Sequence, residues 1–203
     1  MAATHQNRES LPLISDANQC VYTSCYCEEN IWKLCEHIST TRPEELCHCY
    51  AAFISNDQRM VPLWMQKARR APDQPVIWDY HVLFIHKPTE GSPQVYDLDT
   101  VLPLPTSFST YMSEAIQEEY SIRPEFHRKF RVIPAEVFLA HFASDRSHMR
   151  NEDGTWMQPP PLYQCIATQD STMNLDDYIS MDPAIGVGQV MDLQGILKHF
   201  GTS

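Results

Sequence analysis

The chain has 203 residues, of which 43% are hydrophobic and 10% aromatic, and its formal net charge is −11. That length and apolar content suit one compact domain and exclude a chain disordered throughout. The acidic balance speaks against docking to nucleic acid or an anionic membrane through a basic face, and no apolar run reaches the roughly 20 residues of a membrane-spanning helix.

Met1 to Gln19 is polar and aperiodic and reads as a flexible arm ahead of a single domain over residues 20–203. It lacks the basic start and apolar middle of a signal peptide, so an intracellular chain is expected. Seven cysteines is an odd number that suits no complete disulfide framework, and most are expected as buried thiols. After Cys27, apolar residues at Ile31, Trp32, Leu34, Cys35 and Ile38 follow helical spacing, with Ser24 as a candidate cap and Glu28 and Glu29 in the first turn. Arg42-Pro43 ends that helix.

Cys49 to Ser55 reads as a buried strand with a hairpin partner over Met60 to Gln66, where Pro62 suggests an edge. Val76 to His86 is the strongest strand and should be central, since Val82 to Ile85 is apolar on both faces. Gln94 to Leu98 is the next strand, and Phe108 to Ile116 is spaced as an amphipathic helix. The basic stretch Arg123 to Arg131 reads as a solvated face overlapping a strand at Lys129 to Ile133, and Pro134 opens a helix through Phe142. Gly188 to Met191 is a final strand, and Asp192 caps a helix carrying Leu193, Ile196, Leu197 and Phe200. The order is α+β, an antiparallel sheet flanked by helices rather than regular βαβ alternation.

A cysteine at a helix start has its thiolate stabilised by free N–H groups, which can also hold an oxyanion. Cys27 is therefore the candidate nucleophile, although Glu28 and Glu29 would raise its pKa unless they point away. His81 opens the central strand, and Asp97 and Asp99 share one face of the next. Spacing does not choose between those aspartates, and Asp79 could also orient the imidazole. His81 reads equally as a satisfied core histidine, and the aspartates as a solvated strand end. Nucleophile, then histidine, then aspartate is the chain order of papain-like and transglutaminase-like hydrolases.

Zinc is the rival chemistry. Cys25, Cys27, Cys47 and Cys49 supply four thiols, but each pair is separated by one residue, too few to wrap a tetrahedral ion, so no metal ligand is assigned. A zinc-stabilised interaction module without catalysis is the alternative that this pattern leaves.

Four stretches together carry a family resemblance: Cys25 to Asn30, Val76 to Val82, Tyr96 to Thr100, and Phe142 to Met149. They resemble the N-terminal glutamine amidohydrolase family, from about Cys20 to near the C-terminus. The resemblance implies a papain/transglutaminase-like core and deamidation of N-terminal glutamine to glutamate, a step that feeds the N-degron pathway. It implies a monomer without cofactor, found in cytoplasm and nucleus, whose partners are peptides and proteins with a free N-terminal Gln. It puts the triad on Cys27, His81 and Asp97. Recognition of the free α-ammonium asks for a carboxylate, with Glu28 and Asp79 the candidates and Trp78 as a pocket wall. A transglutaminase-like or protease-like enzyme would use the same triad on internal Gln or peptide bonds. The Ser144 to Met149 motif has no role on this reading.

Overall fold

The computed structural model describes residues 12–201. Its centre is a six-stranded antiparallel sheet built around β1 (Cys49–Ser55). On one side of β1 lie β4 (His81–His86), β5 (Gln94–Tyr96) and β6 (Thr106–Ser107); on the other lie β7 (Lys129–Pro134) and β8 (Gln189–Met191). Alternation along the strands sorts side chains to two faces. Ala51, Phe53, Val82, Phe84 and Ile133 face α1 (Cys27–Thr41), α3 (Ala135–His141) and α4 (Leu175–Ile179). Ala52, Ile54, Leu83, Ile85 and Phe130 face α2 (Phe108–Tyr111) and α5 (Leu193–Phe200). Helices therefore cover both faces of an antiparallel sheet, and each buried Phe, Ile or Leu contributes about 1.5–3 kcal/mol.

Several sequence expectations change in the folded chain. Val76 to His86 is not one strand. Val76–Trp78 (β3) pairs with Val61–Leu63 (β2) in a separate two-stranded sheet, so the expected partner of Cys49–Ser55 pairs elsewhere. The break falls at Asp79, whose carbonyl accepts from Ser55 Oγ, and β4 then pairs directly with β1. Helix α1 runs past Ile38 to Thr41, and the hydroxyls of Ser39, Thr40 and Thr41 donate to carbonyls of the preceding turn.

The basic stretch is not a solvated face at Arg128 and Arg131, both fully buried. The Arg131 guanidinium donates to the carbonyls of Ser180, Asp182 and Val187, and Arg128 to Glu119 and the carbonyls of Pro62 and Gln117. A planar guanidinium whose three nitrogens each donate to an acceptor tolerates burial. Of the arm, residues 1–11 lie outside the described residues, but Ile14 is buried in the core and Leu13 N–H donates to Tyr96 Oη. The seven cysteines are free thiols, and only Cys35 and Cys49 are buried; Cys25, Cys47 and Cys165 are exposed. Among the described residues no helix is long and apolar enough to cross a membrane.

Candidate active site

The loop before α1 is shaped by Asn30, not by the expected Ser24 cap. Asn30 Oδ1 accepts from Thr23 N–H and its Nδ2 donates to Thr23 O, both at 2.8 Å. The chain turns through Cys25 at a positive φ of 67° and enters the helix at Tyr26, which makes no side-chain cap. Cys27 is thereby delivered in the first turn, with the Val82 backbone at the start of β4 as a neighbour.

His81, the first residue of β4, meets Asp97, the residue just past β5. The strand expected to reach Leu98 ends at Tyr96, so Asp97 follows it directly and Leu98 and Asp99 form a turn rather than sharing a strand face with it. The ring reaches Asp97: Nε2 to Oδ1 is 2.9 Å with both side chains buried. Asp99 instead accepts from Tyr22 Oη at 2.7 Å. The structure thus separates two aspartates that spacing left equal. Asp97 also accepts from its neighbour Asp99 N–H, from Gln66 Nε2 and from Tyr111 Oη. With Nε2 engaged, His81 Nδ1 is buried and unpartnered. The Trp78 ring stacks on the imidazole, centroids 5.3 Å apart and planes at 19°.

The electrostatics follow from these contacts. Burial pushes the Asp97 carboxyl up, but the charge and hydrogen bond of His81, with the Gln66 and Asp99 donors, outweigh it and hold the group below 3.8. Burial pushes His81 down, yet Asp97 prevails and holds the imidazole above 6.5. The Cys27 thiol moves opposite to the helix-start expectation. Burial first, then the charges of Glu28 and Asp99, push it well above its ordinary value, and the Val82 backbone only partly opposes them. Of the two first-turn carboxylates, Glu29 does point away, into a bidentate pair with Arg146 at 2.8 Å on each arm. Glu28 stays: its Oε2 lies 3.7 Å from Cys27 Sγ and accepts from Tyr80 Oη at 2.9 Å.

Cys27 opens onto a cleft of about 420 Å³. Its lining includes Trp78, the exposed Asp79, Asp99, His148 and the apolar Met149 and Met173. Glu28 is fully buried and does not line the cleft, unlike Asp79 and Trp78. Gln66, Tyr80, Tyr111, Arg146 and His148 were not singled out from sequence. For the last two a signal existed, the Ser144 to Met149 motif. Arg146 sits there in the left-handed conformation and, besides Glu29, donates to the carbonyls of Pro161, Tyr163 and Gln164.

Among the described residues, the one group with donor atoms close enough to share a metal is His81, Asp97 and Asp99. Its ring and carboxylate already bond each other, and Asp99 holds Tyr22. The four thiols of the zinc alternative do not form such a group among those residues.

A thiol at a helix start, together with an imidazole bonded to a buried carboxylate, is the residue set of a thiol-dependent hydrolase. Residues 22–200 match the family model described as N-terminal glutamine amidase, and the chain belongs to that family. It is 54% identical over 184 residues to a protein of Danio rerio, covering 91% of each chain. It is 52% identical over 201 residues to one of Homo sapiens, covering 99% of this chain and 96% of the relative. A Drosophila melanogaster relative is 53% identical over 189 residues, covering 93% of this chain and 91% of its own length. All three relatives bear the name protein N-terminal glutamine amidohydrolase.

Proposed function

We propose that the chain hydrolyses the side-chain amide of N-terminal glutamine in peptides and proteins, leaving glutamate and releasing ammonia. The observation that carries this reading is the buried His81–Asp97 pair in a chain of this family whose Cys27 opens α1 and lines a peptide-sized cleft. The sheet and helix arrangement is read as a papain/transglutaminase-like core. The enzyme is taken as a cofactor-free monomer of cytoplasm and nucleus.

Because burial and Glu28 keep the thiol protonated, the proton leaves during attack. Sγ bonds to the amide carbon, the carbonyl electron pair moves to oxygen, and the thiol proton passes to His81 Nδ1. The Cys27 N–H, free in the first helical turn, helps hold the oxyanion. His81 then protonates the departing ammonia, leaving a glutamyl thioester. Water, deprotonated by the same imidazole, attacks the thioester and frees glutamate and thiol. Asp97 fixes the ring tautomer through Nε2–H and stabilises the imidazolium. Trp78 shields that pair from solvent.

Selection for a free N-terminus needs an anion on the cleft wall. Asp79 has the exposure for it, whereas Glu28 lies behind the wall with Oε2 engaged by Tyr80. We therefore give the α-ammonium to Asp79. N-terminal Asn is one methylene shorter, a difference of about 1–3 kcal/mol in such a pocket.

The test is ammonia release from four matched peptides: free N-terminal Gln, acetylated Gln, N-terminal Asn, and internal Gln. Release confined to the free Gln peptide is expected. Turnover of the blocked or internal peptide would replace the proposal with a transglutaminase-like enzyme, and silence from all four would overturn it.

A further inference from the structure

The thioester of the proposed reaction carries a competitor to water within itself. A γ-glutamyl group on Cys27 keeps its own α-amine, and attack of that nitrogen on the thioester carbon closes a lactam. Well-oriented intramolecular attack reaches effective molarities of about 10⁵–10⁸ M, well above the concentration of liquid water. An α-amino group has an ordinary pKa of about 7.7–8.0, so roughly a tenth of it is free base at neutral pH. With nothing to prevent it, the intermediate would leave as a blocked pyroglutamyl peptide rather than as glutamate.

The charges around the cleft oppose that outcome. Asp79 is exposed between β3 and β4 and lines the cleft with Cys27. Its Oδ1 accepts from the Tyr80 N–H at 2.9 Å, which leaves Oδ2 for a ligand. Asp99, on the turn after β5, lines the same cleft and gives its Oδ1 to Tyr22 Oη. Among the described residues neither aspartate pairs with a Lys or Arg. The charges of Asp79, Asp99 and the buried Glu28 all bear on Cys27. The cationic groups that face them are already engaged: Arg59 is tied to Asp176 at 2.7 Å, His81 to Asp97 at 2.9 Å, and His148 lies 3.5 Å from Glu28. An uncompensated negative field favours the charged form of an amine that enters it. An ammonium has no lone pair and does not attack a thioester.

We propose that Asp79 determines the product of the reaction: its carboxylate holds the substrate α-ammonium protonated through the thioester stage, so that water and not the amine takes the acyl group. This rests on the amidase reading and deepens it. If the proton is lost, the nitrogen lone pair bonds to the thioester carbon and the C–S bond breaks with its electrons on sulfur. The remaining proton shed by nitrogen goes to Sγ, and the products are a pyroglutamyl peptide and free thiol, with no water consumed. If the proton is kept, His81 activates water and glutamate leaves. Ammonia departs before the two routes divide, so only the peptide product tells them apart. A carboxylate that selects for a free N-terminus thus also keeps that N-terminus from reacting.

The experiment weighs the peptide products by mass spectrometry after turnover of a free N-terminal Gln peptide in heavy-oxygen water. Wild type, Asp79→Asn and Asp79→Glu are compared, and Cys27→Ala measures spontaneous cyclisation for subtraction. Hydrolysis gives glutamate with one heavy oxygen, and cyclisation gives a pyroglutamyl peptide with none. Near neutral pH the wild type is expected to give glutamate with at most a trace of pyroglutamate. An opposite charge beside a titrating group shifts its pKa by about 1–3 units, so Asp79→Asn should raise the pyroglutamyl fraction at least about tenfold, however slow its turnover. Asp79→Glu restores the charge and should return the fraction toward wild type. Glutamate alone from Asp79→Asn overturns the proposal, as does a glutamate variant that cyclises as much as the asparagine one. If Asp79→Asn does not turn over, the wild type decides: its pyroglutamyl fraction should climb about tenfold per pH unit until the bound amine titrates, and a fraction flat through about pH 10 overturns the proposal. Wild type that releases no ammonia from this peptide would instead sink the amidase reading, and this inference with it.

Discussion

Asp97 and Glu28 are both buried carboxylates beside a histidine near Cys27, but their surroundings differ. Asp97 accepts from His81, Gln66, Tyr111 and the Asp99 N–H, so no lone pair is left wanting. Glu28 accepts from Tyr80 and weakly from the Cys27 thiol, both on Oε2, and its other oxygen is empty. The first pair is finished before substrate arrives, which suits a base that must hold one tautomer through two proton transfers. The second leaves one oxygen of Glu28 unpartnered in the interior, behind the cleft. A satisfied buried carboxylate rigidifies, whereas one with an empty oxygen costs the fold free energy.

The largest effect should come from removing the thiol that both pairs flank. Cys27→Ala or Cys27→Ser should abolish ammonia release, and substantial turnover by either would end the nucleophile assignment.

Next comes the finished pair. Asp97→Asn should lower kcat by about 10⁴-fold through loss of the tautomer lock. It should also displace the acid limb of the pH profile. His81 accepts the thiol proton only when neutral, and Asp97 holds its pKa above 6.5, so the asparagine variant should show that limb at lower pH. The same shifts bear on stability. Asp97, depressed in the fold, stabilises above 3.8 and loses that contribution as pH falls through its folded value. His81, raised in the fold, stabilises below 6.5 and loses that contribution as pH rises through its folded value. Denaturant unfolding should therefore find the gap between wild type and Asp97→Asn widest between 3.8 and 6.5. A gap independent of pH would remove the charge pairing from the account.

The Glu29–Arg146 clamp beside the second pair ranks third. Arg146→Ala leaves Glu29 buried and uncompensated, which costs about 3–5 kcal/mol in unfolding free energy. Glu29→Gln with Arg146→Met should be far milder, and equal losses would show that the ion pair is not the cause.

Smallest is loosening the finished pair toward the state of the other. Tyr111→Phe and Gln66→Leu each delete one of the donors on Asp97, worth about 1.5–3 kcal/mol to a charged acceptor. Each should cut kcat by roughly one order of magnitude and lower KM little, measured on the free Gln peptide. No change in either variant would make Asp97 self-sufficient.

How much of this could be read from the chain alone follows the range of the interactions. Helix α1, the strands β1, β5, β7 and β8, and the Asp192 cap on α5 are local patterns, and the periodicity of Ile31, Leu34 and Ile38 or the turn Asp192–Gly195 displays them directly. Helix α4 escaped because its five residues are too few to show a period. The division of Val76 to His86 escaped because β3 and β4 are equally β-prone, and only the pairing partners β2 and β1 distinguish them. In the site, Cys27, His81 and the pair of aspartates were visible as residue types in order, while the family resemblance alone had placed the carboxylate on Asp97. The Glu29–Arg146 clamp joins residues 117 apart, and no spacing rule reaches that far. Arg128 and Arg131 misled for the same reason, since their partners are carbonyls of distant loops.

That clamp also dictates an order of events during synthesis. Cys27, His81 and Asp97 have all been made before Arg146 exists, yet the nascent chain at that stage lacks the cation for Glu29 and part of the cleft lining. A fragment stopped short of Arg146 would carry every triad residue on a helix whose first turn buries an unpaired charge. The triad residues are thus all made before Arg146 and before the cleft-lining residues from His148 to Ile179.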